Sequence, residues 1–213
     1  DVVLAIGTEF GETDYDYFFE GGVQITGKLI RIDIDSSQLT RNIRSDLAIC
    51  SDAGQALQAL NQSLDLPTSD GGRGAKRAEK IRNELKATRD LGYDRFFETI
   101  LSTLPEVIIA GDSTQPVYYA WLHYETEKPR RYFHSASGFG TLGYAIPAAI
   151  GAKLAMPDNP VIGLIGDGAA QFTIGEMAAA VEARLPVIFL VWNNNGYGEI
   201  KRFMEEGNIP RIG

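Results

Sequence analysis

Two short turns in the C-terminal half of the chain carry oxygen ligands suited to a divalent metal. The turn at 166–168 provides the Asp167 carboxylate, and the turn at 193–196 provides the Asn194 amide oxygen and the Gly196 backbone carbonyl. Mg²⁺ takes such oxygens and keeps positions for phosphate oxygens and water. Gly166 and Gly168 allow the backbone to approach a phosphate closely. The residues therefore predict a Mg²⁺-bridged diphosphate site with Asp167, Asn194 and Gly196 as metal ligands.

The elements around the two turns are expected to place them at one edge of a sheet. Val161–Ile165 and Val187–Trp192 are apolar runs typical of buried strands, and residues 173–184 have the apolar spacing of a single helix. A strand, a helix and a strand form a βαβ unit, so both turns follow the carboxyl ends of parallel strands. Open α/β sheets bind ligands at that edge.

This pair of turns on successive strand ends resembles the diphosphate motif of thiamine diphosphate enzymes, in the acetolactate synthase and 2-oxoacid decarboxylase branch. The resemblance is specific over 107–200 and looser over 1–65. It implies an α/β fold, in which a doubly wound parallel sheet binds thiamine diphosphate and Mg²⁺. Part of a Rossmann-like central domain is expected to precede that sheet.

The chain divides into three regions, of which the resemblance assigns the first and the last, and composition indicates the linker between them. Residues 1–65 are expected to be the C-terminal half of the central domain, 66–92 a linker with a charged helix over 75–89, and 93–213 a diphosphate-binding domain truncated at its C-terminus. The glutamate that activates the cofactor in relatives belongs to a pyrimidine-binding domain that would precede Asp1. We therefore expect a fragment that holds no catalytic residue and is inactive by itself.

The cofactor contacts that the resemblance implies lie in four stretches. The turn after strand Val107–Ala110 is expected to hold phosphate oxygens. In the loop before helix Tyr144–Ala155, the Gly140 carbonyl is expected to accept from the aminopyrimidine, and Leu142 to hold the cofactor in a bent shape. The predicted contacts are Ser113, Thr114, Gln115, Gly140, Leu142, Gly166, Asp167, Gly168, Ala169, Asn194, Gly196 and Tyr197.

Two residues beyond the second turn, Glu199 and Phe203, are expected to face the substrate. Acetolactate synthases carry apolar residues around both positions, so Glu199 departs from their pattern. A carboxylate there can pair with a guanidinium, and residues 195–200 are similar to 5-guanidino-2-oxopentanoate decarboxylases. The alternative is that Glu199 only stabilises the positive end of its own helix.

The implied function is the non-oxidative decarboxylation of a 2-oxo acid, with or without a cationic tail, to an aldehyde. Three alternatives stay open. They are a carboligase of the acetolactate synthase type, a phosphate- or nucleotide-binding α/β module without catalysis, and a folded fragment that only binds the cofactor or no longer does so. Gly7, which follows the first strand, does not begin a dinucleotide-binding pattern.

Composition limits the class of partner. A net charge of −8 argues against nucleic acid, and an acidic protein needs a cation to bind an anionic diphosphate. The sequence has no signal peptide and no apolar run long enough to span a membrane, so a cytoplasmic location without membrane contact is expected. The resemblance implies a homodimer or homotetramer. The single cysteine, Cys50, excludes an internal disulfide, and its apolar neighbours predict a buried thiol.

Overall fold

The computed structural model describes residues 2–11, 21–64, 72–126 and 128–210. The chain separates into two compact units, Asp1–Arg73 and Gly74–Gly213. Each unit contains a parallel sheet with helices, which confirms the α/β fold. The charged helix expected over 75–89 is α2, which spans Gly72–Lys86, while residues 66–71 of the expected linker lie outside the described residues.

The first unit is built on a three-stranded parallel sheet in the order β1-β2-β3. The strands are β1 (Val2–Ile6), β2 (Lys28–Asp33) and β3 (Leu47–Cys50). A 3-10 helix, Gln38–Thr40, lies between β2 and β3, and α1 (Ala53–Ser63) follows β3. The Asp52 carboxylate accepts the Gln55 N–H at 2.9 Å and so caps this helix.

The second unit is built on a four-stranded parallel sheet in the order β5-β4-β6-β7. The strands are β4 (Ile108–Gly111), β5 (Tyr132–His134), β6 (Val161–Gly166) and β7 (Ile188–Trp192). Its further helices are α3 (Leu91–Thr103), α4 (Gln115–His123), α5 (Ala145–Ala155), α6 (Asp167–Thr173), α7 (Met177–Glu182) and α8 (Gly198–Glu206). Among the described residues, no helix combines the length and the apolar composition needed to cross a membrane.

The strand order creates a crevice at the carboxyl edge of this second sheet. From β4 the chain crosses to β5 on one side, and from β6 it crosses to β7 on the other side. The neighbouring strands β4 and β6 therefore send their connections in opposite directions, and the loops that leave their carboxyl ends diverge. Ligands of open α/β sheets bind at such a switch point. The two turns that border it begin at Asp112 and Asp167.

Helices cover both faces of the second sheet. Ile162 and Leu164 of β6 pack with α3 and α4, where they share a cluster with Phe97 and Val117. Ile165 faces the opposite side and packs with α5, α6 and α7. All 6 residues of β6 are buried, as its apolar run predicts. The strand that carries Asp167 at its end is therefore held on both faces.

Two edge strands are more exposed than their sequences indicate. Cys50, at the end of β3, is exposed, so the prediction of a buried thiol is wrong. In β7, Ile188 and Val191 are 40% and 50% exposed, so this strand is only half buried. Each strand has one neighbour within its described sheet, and an apolar run does not reveal which strands lie at an edge.

The predicted single helix over 173–184 is wrong. The first helix, α6, begins directly after β6, and a 3-10 helix, Ile174–Glu176, separates it from α7. Thr173 has φ −138°, outside the helical range, so the chain turns there. Ile174 and Val181, two of the apolar residues whose spacing indicated that helix, are 53% and 77% exposed. The buried residues of this segment are Ala169, Ala170 and Ala180.

We expect Gly111→Ala to destabilise the second unit and to displace the first turn of α4. A Cβ at Gly111 would lie 2.8 and 2.9 Å from the two methyl groups of Val117 and 3.2 Å from the His134 Cβ. Val117 is buried and branched at Cβ, so it cannot turn aside. Overpacking of this kind costs about 1–3 kcal/mol, which chemical denaturation measures.

Gly151→Ala is the matched control, because a Cβ at Gly151 of α5 meets nothing within 4 Å. Alanine is the better helix former by about 0.5–1 kcal/mol, so this variant should be at least as stable as the parent. If Gly111→Ala were equally stable, the close packing of α4 on β4 would be contradicted.

Candidate functional site

A cavity of about 240 Å³ lies at the carboxyl edge of the second sheet, beside the switch point. All of the predicted cofactor contacts line it, together with Glu199, Tyr118, Gly198 and Ile200. Asp167 and Asn194 thus share one cavity, although they belong to different turns. Of the described residues that line this cavity, Asp167 and Glu199 carry a charge and none is Lys, Arg or His. The cavity therefore holds two carboxylates without a cationic side chain.

The turn after β4 contributes backbone and hydroxyl groups. Thr114 caps α4, and Gln115 is the first residue of that helix, so their backbone N–H groups lie at its positive end. Pro116 has no N–H, which leaves this helix end with fewer donors for a ligand. The Ser113 hydroxyl lies 3.0 Å from the Ser135 hydroxyl and can donate to the Gly140 carbonyl at 3.3 Å. This turn is therefore tied to the loop that carries Gly140.

A buried carboxylate, Asp112, fixes the loop that carries Gly140 and Leu142. Its oxygens accept the N–H groups of Ser113 at 2.8 Å, Gly143 at 3.3 Å and Ala145 at 2.9 Å. Burial raises the pKa of the Asp112 carboxyl, while the N–H donors of Ala145, Ser113 and Gly143 act in the opposite direction. Asp112 therefore joins the end of β4 to the start of α5.

The same loop is held from its other side by α6. The Thr173 hydroxyl donates to the Gly143 carbonyl at 2.7 Å. Gly143 has φ +86°, and a Cβ there would lie 2.8 Å from the Thr173 methyl group, so only glycine suits this position. Leu142, between these contacts, packs against the core of α5 and also lines the cavity. Its shape and position are therefore fixed by packing.

The turn after β6 approaches the two other turns closely. A Cβ at Gly166 would lie 3.2 Å from the Thr114 hydroxyl oxygen, and a Cβ at Gly168 would lie 3.1 Å from the Tyr197 ring. A side chain at either glycine would therefore push the neighbouring turns apart. Asp167 lies between the two glycines, as the first residue of α6. The close approach fixes Asp167 relative to the turns after β4 and β7.

Hydrogen bonds orient the side chains at the end of β7. Gly166 of β6 pairs with Trp192 of β7, so the turns that follow are neighbours. The Gln115 amide oxygen accepts from the Trp192 indole N–H at 3.4 Å and from the Asn194 amide at 3.3 Å. The Asn194 oxygen accepts the Gly196 N–H at 3.2 Å. This pattern leaves the Gln115 NH₂ group as a donor for a ligand.

The two predicted substrate residues differ in position. The Glu199 side chain is 19% exposed and lines the cavity, and its Oε2 accepts from Arg202 at 2.8 and 3.2 Å. Phe203 is 52% exposed, is not among the residues that line the cavity, and lies beneath the Arg202 guanidinium at 5.1 Å. Burial and the carboxylates of Asp90 and Glu199 raise the pKa of the Tyr93 phenol, while the Arg202 guanidinium acts in the opposite direction. A substrate role for Phe203 stays a prediction.

Sequence reasoning missed three residues that position the site, namely Asp112, Thr173 and Trp192. Each acts on a residue far away in the chain, so no local spacing indicates it. It also passed over the pattern Gly-x-Gly-x-x-Gly formed by Gly138, Gly140 and Gly143. In dinucleotide-binding proteins this pattern follows a strand directly. Here the 3-10 helix Ser135–Ser137 intervenes, and the loop forms part of the cavity wall.

We expect Asp112→Asn to loosen the loop over 140–144. Asparagine keeps the shape but places an NH₂ group against backbone N–H donors, so at least one of them loses its acceptor. The cost is about 1–3 kcal/mol. Hydrogen exchange at the amides of Gly143 and Ala145 should become faster.

Asp158→Asn is the control for this prediction, because Asp158 is exposed on the turn before β6. It should leave exchange at both amides unchanged. Equal protection in Asp112→Asn and the parent would show that the buried carboxylate does not hold the loop.

The geometry agrees with two family models. Residues 112–210 match the model of the thiamine pyrophosphate enzyme C-terminal TPP binding domain, and residues 1–60 match that of the thiamine pyrophosphate enzyme central domain. The first match begins at Asp112 and includes every residue that lines the cavity.

Several known proteins are similar to this chain. The probable 2-ketoarginine decarboxylase AruI of Pseudomonas aeruginosa is 35% identical over 218 residues, which cover 100% of this chain and 38% of that protein. The acetolactate synthase isozyme 3 large subunit of Escherichia coli K12 is 29% identical, with coverage of 96% and 37%. The chain thus spans less than two fifths of the length of these relatives.

A solved structure has the same fold. The thiamine diphosphate-dependent 4-hydroxybenzoylformate decarboxylase of Rhodococcus jostii RHA1 superposes with a TM-score of 0.66 at 23% identity, over 100% of this chain and 41% of that one. At this identity the likeness concerns the fold alone. Because the two family models together account for residues 1–60 and 112–210, the chain belongs to the thiamine pyrophosphate enzymes, with central-domain sequence followed by the TPP binding domain.

Proposed function

We propose that the cavity binds thiamine diphosphate through Mg²⁺. The observation that carries this proposal is the cavity's charge, since its lining holds two carboxylates and, among the described residues, no cationic side chain. A diphosphate would be repelled there unless a cation lies between it and Asp167. The carboxylate of Asp167, the amide oxygen of Asn194 and the carbonyl of Gly196 are hard oxygens of the kind that Mg²⁺ takes. The donor set therefore fits the metal, and the metal accounts for the charge of the site.

The remaining predicted contacts divide by chemistry. Thr114 and Gln115 offer backbone N–H groups at the start of α4, and the Gln115 NH₂ group is oriented as a donor, so both suit diphosphate oxygens. Ser113 offers a hydroxyl. Gly166, Gly168 and Ala169 let the backbone come close to the diphosphate.

A second set of residues suits the rings of the cofactor. The Gly140 carbonyl accepts only the Ser113 hydroxyl in the described structure, so a lone pair remains for an amino group. Leu142 is packed from behind by α5 and presents an apolar surface to the cavity. Tyr197, which lies against Gly168, closes the cavity from the side of α8. These contacts support a bent cofactor held over Leu142.

The proposed reaction is the non-oxidative decarboxylation of a 2-oxo acid to an aldehyde. Thiamine diphosphate supplies a nucleophilic carbon and an electron sink for cleavage of a bond next to a ketone. The chain's own residues bind and orient the cofactor, and the loop over 140–144 excludes water from one side of the cavity. The activating glutamate is expected on sequence outside this chain, and the assembly is expected to be a homodimer or homotetramer. A cytoplasmic location remains a prediction from the sequence.

We further propose that the substrate carries a cationic tail that faces Glu199. The described lining of the cavity has two carboxylates, the proposed metal ligand Asp167 and Glu199. The Glu199 side chain is mostly buried. The name of the Pseudomonas relative specifies 2-ketoarginine, a 2-oxo acid with a guanidinium tail. A carboxylate and a guanidinium form charge-assisted hydrogen bonds. This chemistry supports a guanidino 2-oxo acid over an apolar one.

A carboligase is the second candidate, because the Escherichia coli relative is an acetolactate synthase subunit. A carboligase would join the product of the first step to a second carbonyl compound and release a hydroxy-ketone. Product analysis with the complete protein separates the two, since a decarboxylase releases one aldehyde for each CO₂. A predominant hydroxy-ketone product would overturn the decarboxylase assignment.

Asp167→Asn should abolish the Mg²⁺-dependent part of cofactor binding, because it removes the one charged metal ligand. Calorimetry with thiamine diphosphate at saturating Mg²⁺ should give a Kd at least about tenfold higher, equivalent to about 1.4 kcal/mol. Asp158→Asn changes the net charge equally and should bind as the parent does. Parent binding that needs no Mg²⁺, or a variant that binds normally, would contradict the proposed metal site.

Glu199→Gln should weaken the use of 2-ketoarginine and spare 2-oxohexanoate, an uncharged 2-oxo acid. Loss of a charged hydrogen bond costs about 1.5–3 kcal/mol, so the KM for the cationic acid should rise roughly tenfold or more. Steady-state decarboxylation by the complete protein measures both acids, with Glu182→Gln on α7 as an exposed control. Equal losses on the two acids would remove the substrate role of Glu199.

A further inference from the structure

Three charged side chains lie along one side of α8, in the order Glu199, Arg202 and Glu206. The Arg202 Nε and Nη2 atoms donate to the Glu199 Oε2 at 3.2 and 2.8 Å, and its Nη1 atom donates to the Glu206 Oε1 at 3.2 Å. Residues three and four positions apart are neighbours on a helix, so Arg202 can contact both carboxylates at once. One guanidinium is therefore shared between two acids.

The two carboxylates lie in different surroundings. The side chain of Glu199 is 19% exposed and lines the cavity, whereas those of Arg202 and Glu206 are 51% and 59% exposed. Arg202 thus approaches Glu199 from the solvent side. Both of its bonds to Glu199 end on Oε2, and within the described part of the chain no hydrogen bond to Oε1 is found. The cavity side of this carboxylate is open to a second partner.

A cationic substrate tail would meet a carboxylate that already holds a guanidinium. The bidentate pairing of a guanidinium needs both carboxylate oxygens, so a substrate tail and Arg202 compete for Oε2. Arg202 has an alternative in Glu206, and its guanidinium also lies 5.1 Å from the centre of the Phe203 ring. Arg202 can therefore leave Glu199 without losing its carboxylate contact. The two acids and one base carry a net charge of −1, which one cationic tail neutralises.

We propose that Arg202 is a specificity-determining residue, an internal guanidinium that occupies Glu199 until a cationic tail displaces it to Glu206. The inference rests on the proposed function, in which Glu199 faces the substrate tail. It adds a competitor, Arg202, and an acceptor for that competitor, Glu206. Arg202 therefore lowers the affinity for cationic tails, and Glu206 limits that loss. Neutral tails do not compete for Glu199 and are unaffected.

Binding of two inert probes to the complete protein loaded with Mg²⁺ and thiamine diphosphate tests this. Butylguanidinium represents the cationic tail, and butylurea is its uncharged isostere. Arg202→Met keeps an unbranched side chain over Phe203 but removes the competitor, so butylguanidinium should bind about two- to fivefold more tightly, as expected for an exposed ion pair. Binding of butylurea should not change. Ligand-observed NMR titration measures both dissociation constants.

Glu206→Gln should act in the opposite direction, because Arg202 then has only Glu199 as a partner. Butylguanidinium should bind about twofold more weakly in this variant. In the double variant Arg202→Met/Glu206→Gln, the change at Glu206 should not alter butylguanidinium binding any further, because Arg202 is already absent. If Glu206 had only a structural role, its effect would be the same with and without Arg202. Lys201→Met, an exposed neighbour on the same helix, is the control for loss of one positive charge.

Several results would overturn the inference. They are an equal shift for both probes in Arg202→Met, weaker binding of butylguanidinium in that variant, an effect of Lys201→Met of the same size, or no binding of either probe by the parent protein. Neither probe can be decarboxylated, so these results are independent of the reaction. Absence of turnover with both 2-oxo acids would instead remove the proposed function, while the probes would still report whether Arg202 and a cation compete for Glu199.

Discussion

The site depends on the parallel pairing of β4, β6 and β7, which end at the same edge of one sheet. Gly166 pairs with Trp192, and Gly111 pairs with Leu164, so the three turns that follow these strands begin side by side. The strand order reverses between β4 and β6, which opens the crevice between their turns. No turn forms the cavity alone. The sheet therefore determines the site, and the residues in the turns determine what it binds.

A second constraint is the position of the loop over 140–144, which has no strand to hold it. Asp112 binds it from β4, and Thr173 binds it from α6. Gly143 has the positive φ that this path requires and no room for a Cβ. The backbone N–H groups offset part of the cost of burying the Asp112 carboxylate, and its removal would leave them without an acceptor. The wall of the cavity that carries Gly140 and Leu142 is thus held by Asp112 and Thr173, which do not line the cavity themselves.

Much of this arrangement follows from the sequence because it depends on local patterns. Apolar runs predicted the strands, and short turns rich in Gly, Asp and Asn predicted their carboxyl ends. Both are properties of adjacent residues. The contacts of Asp112, Thr173 and Trp192 could not be predicted in this way, because each joins segments that are neighbours only after folding. The edge position of β3 and the break at Thr173 are likewise set by tertiary packing.

We propose that one metal ion shared by the turns after β6 and β7 holds the diphosphate, and paramagnetic NMR with Mn²⁺ in place of Mg²⁺ can locate this ion. Mn²⁺ broadens the signals of nuclei close to it. With thiamine diphosphate present, the Asn194 side-chain amide, the amides of Gly168 and Gly196, and the phosphorus signals of the cofactor should broaden together. Broadening centred elsewhere in the second unit, or cofactor signals that stay sharp, would show that the two turns do not share a metal ion with the diphosphate.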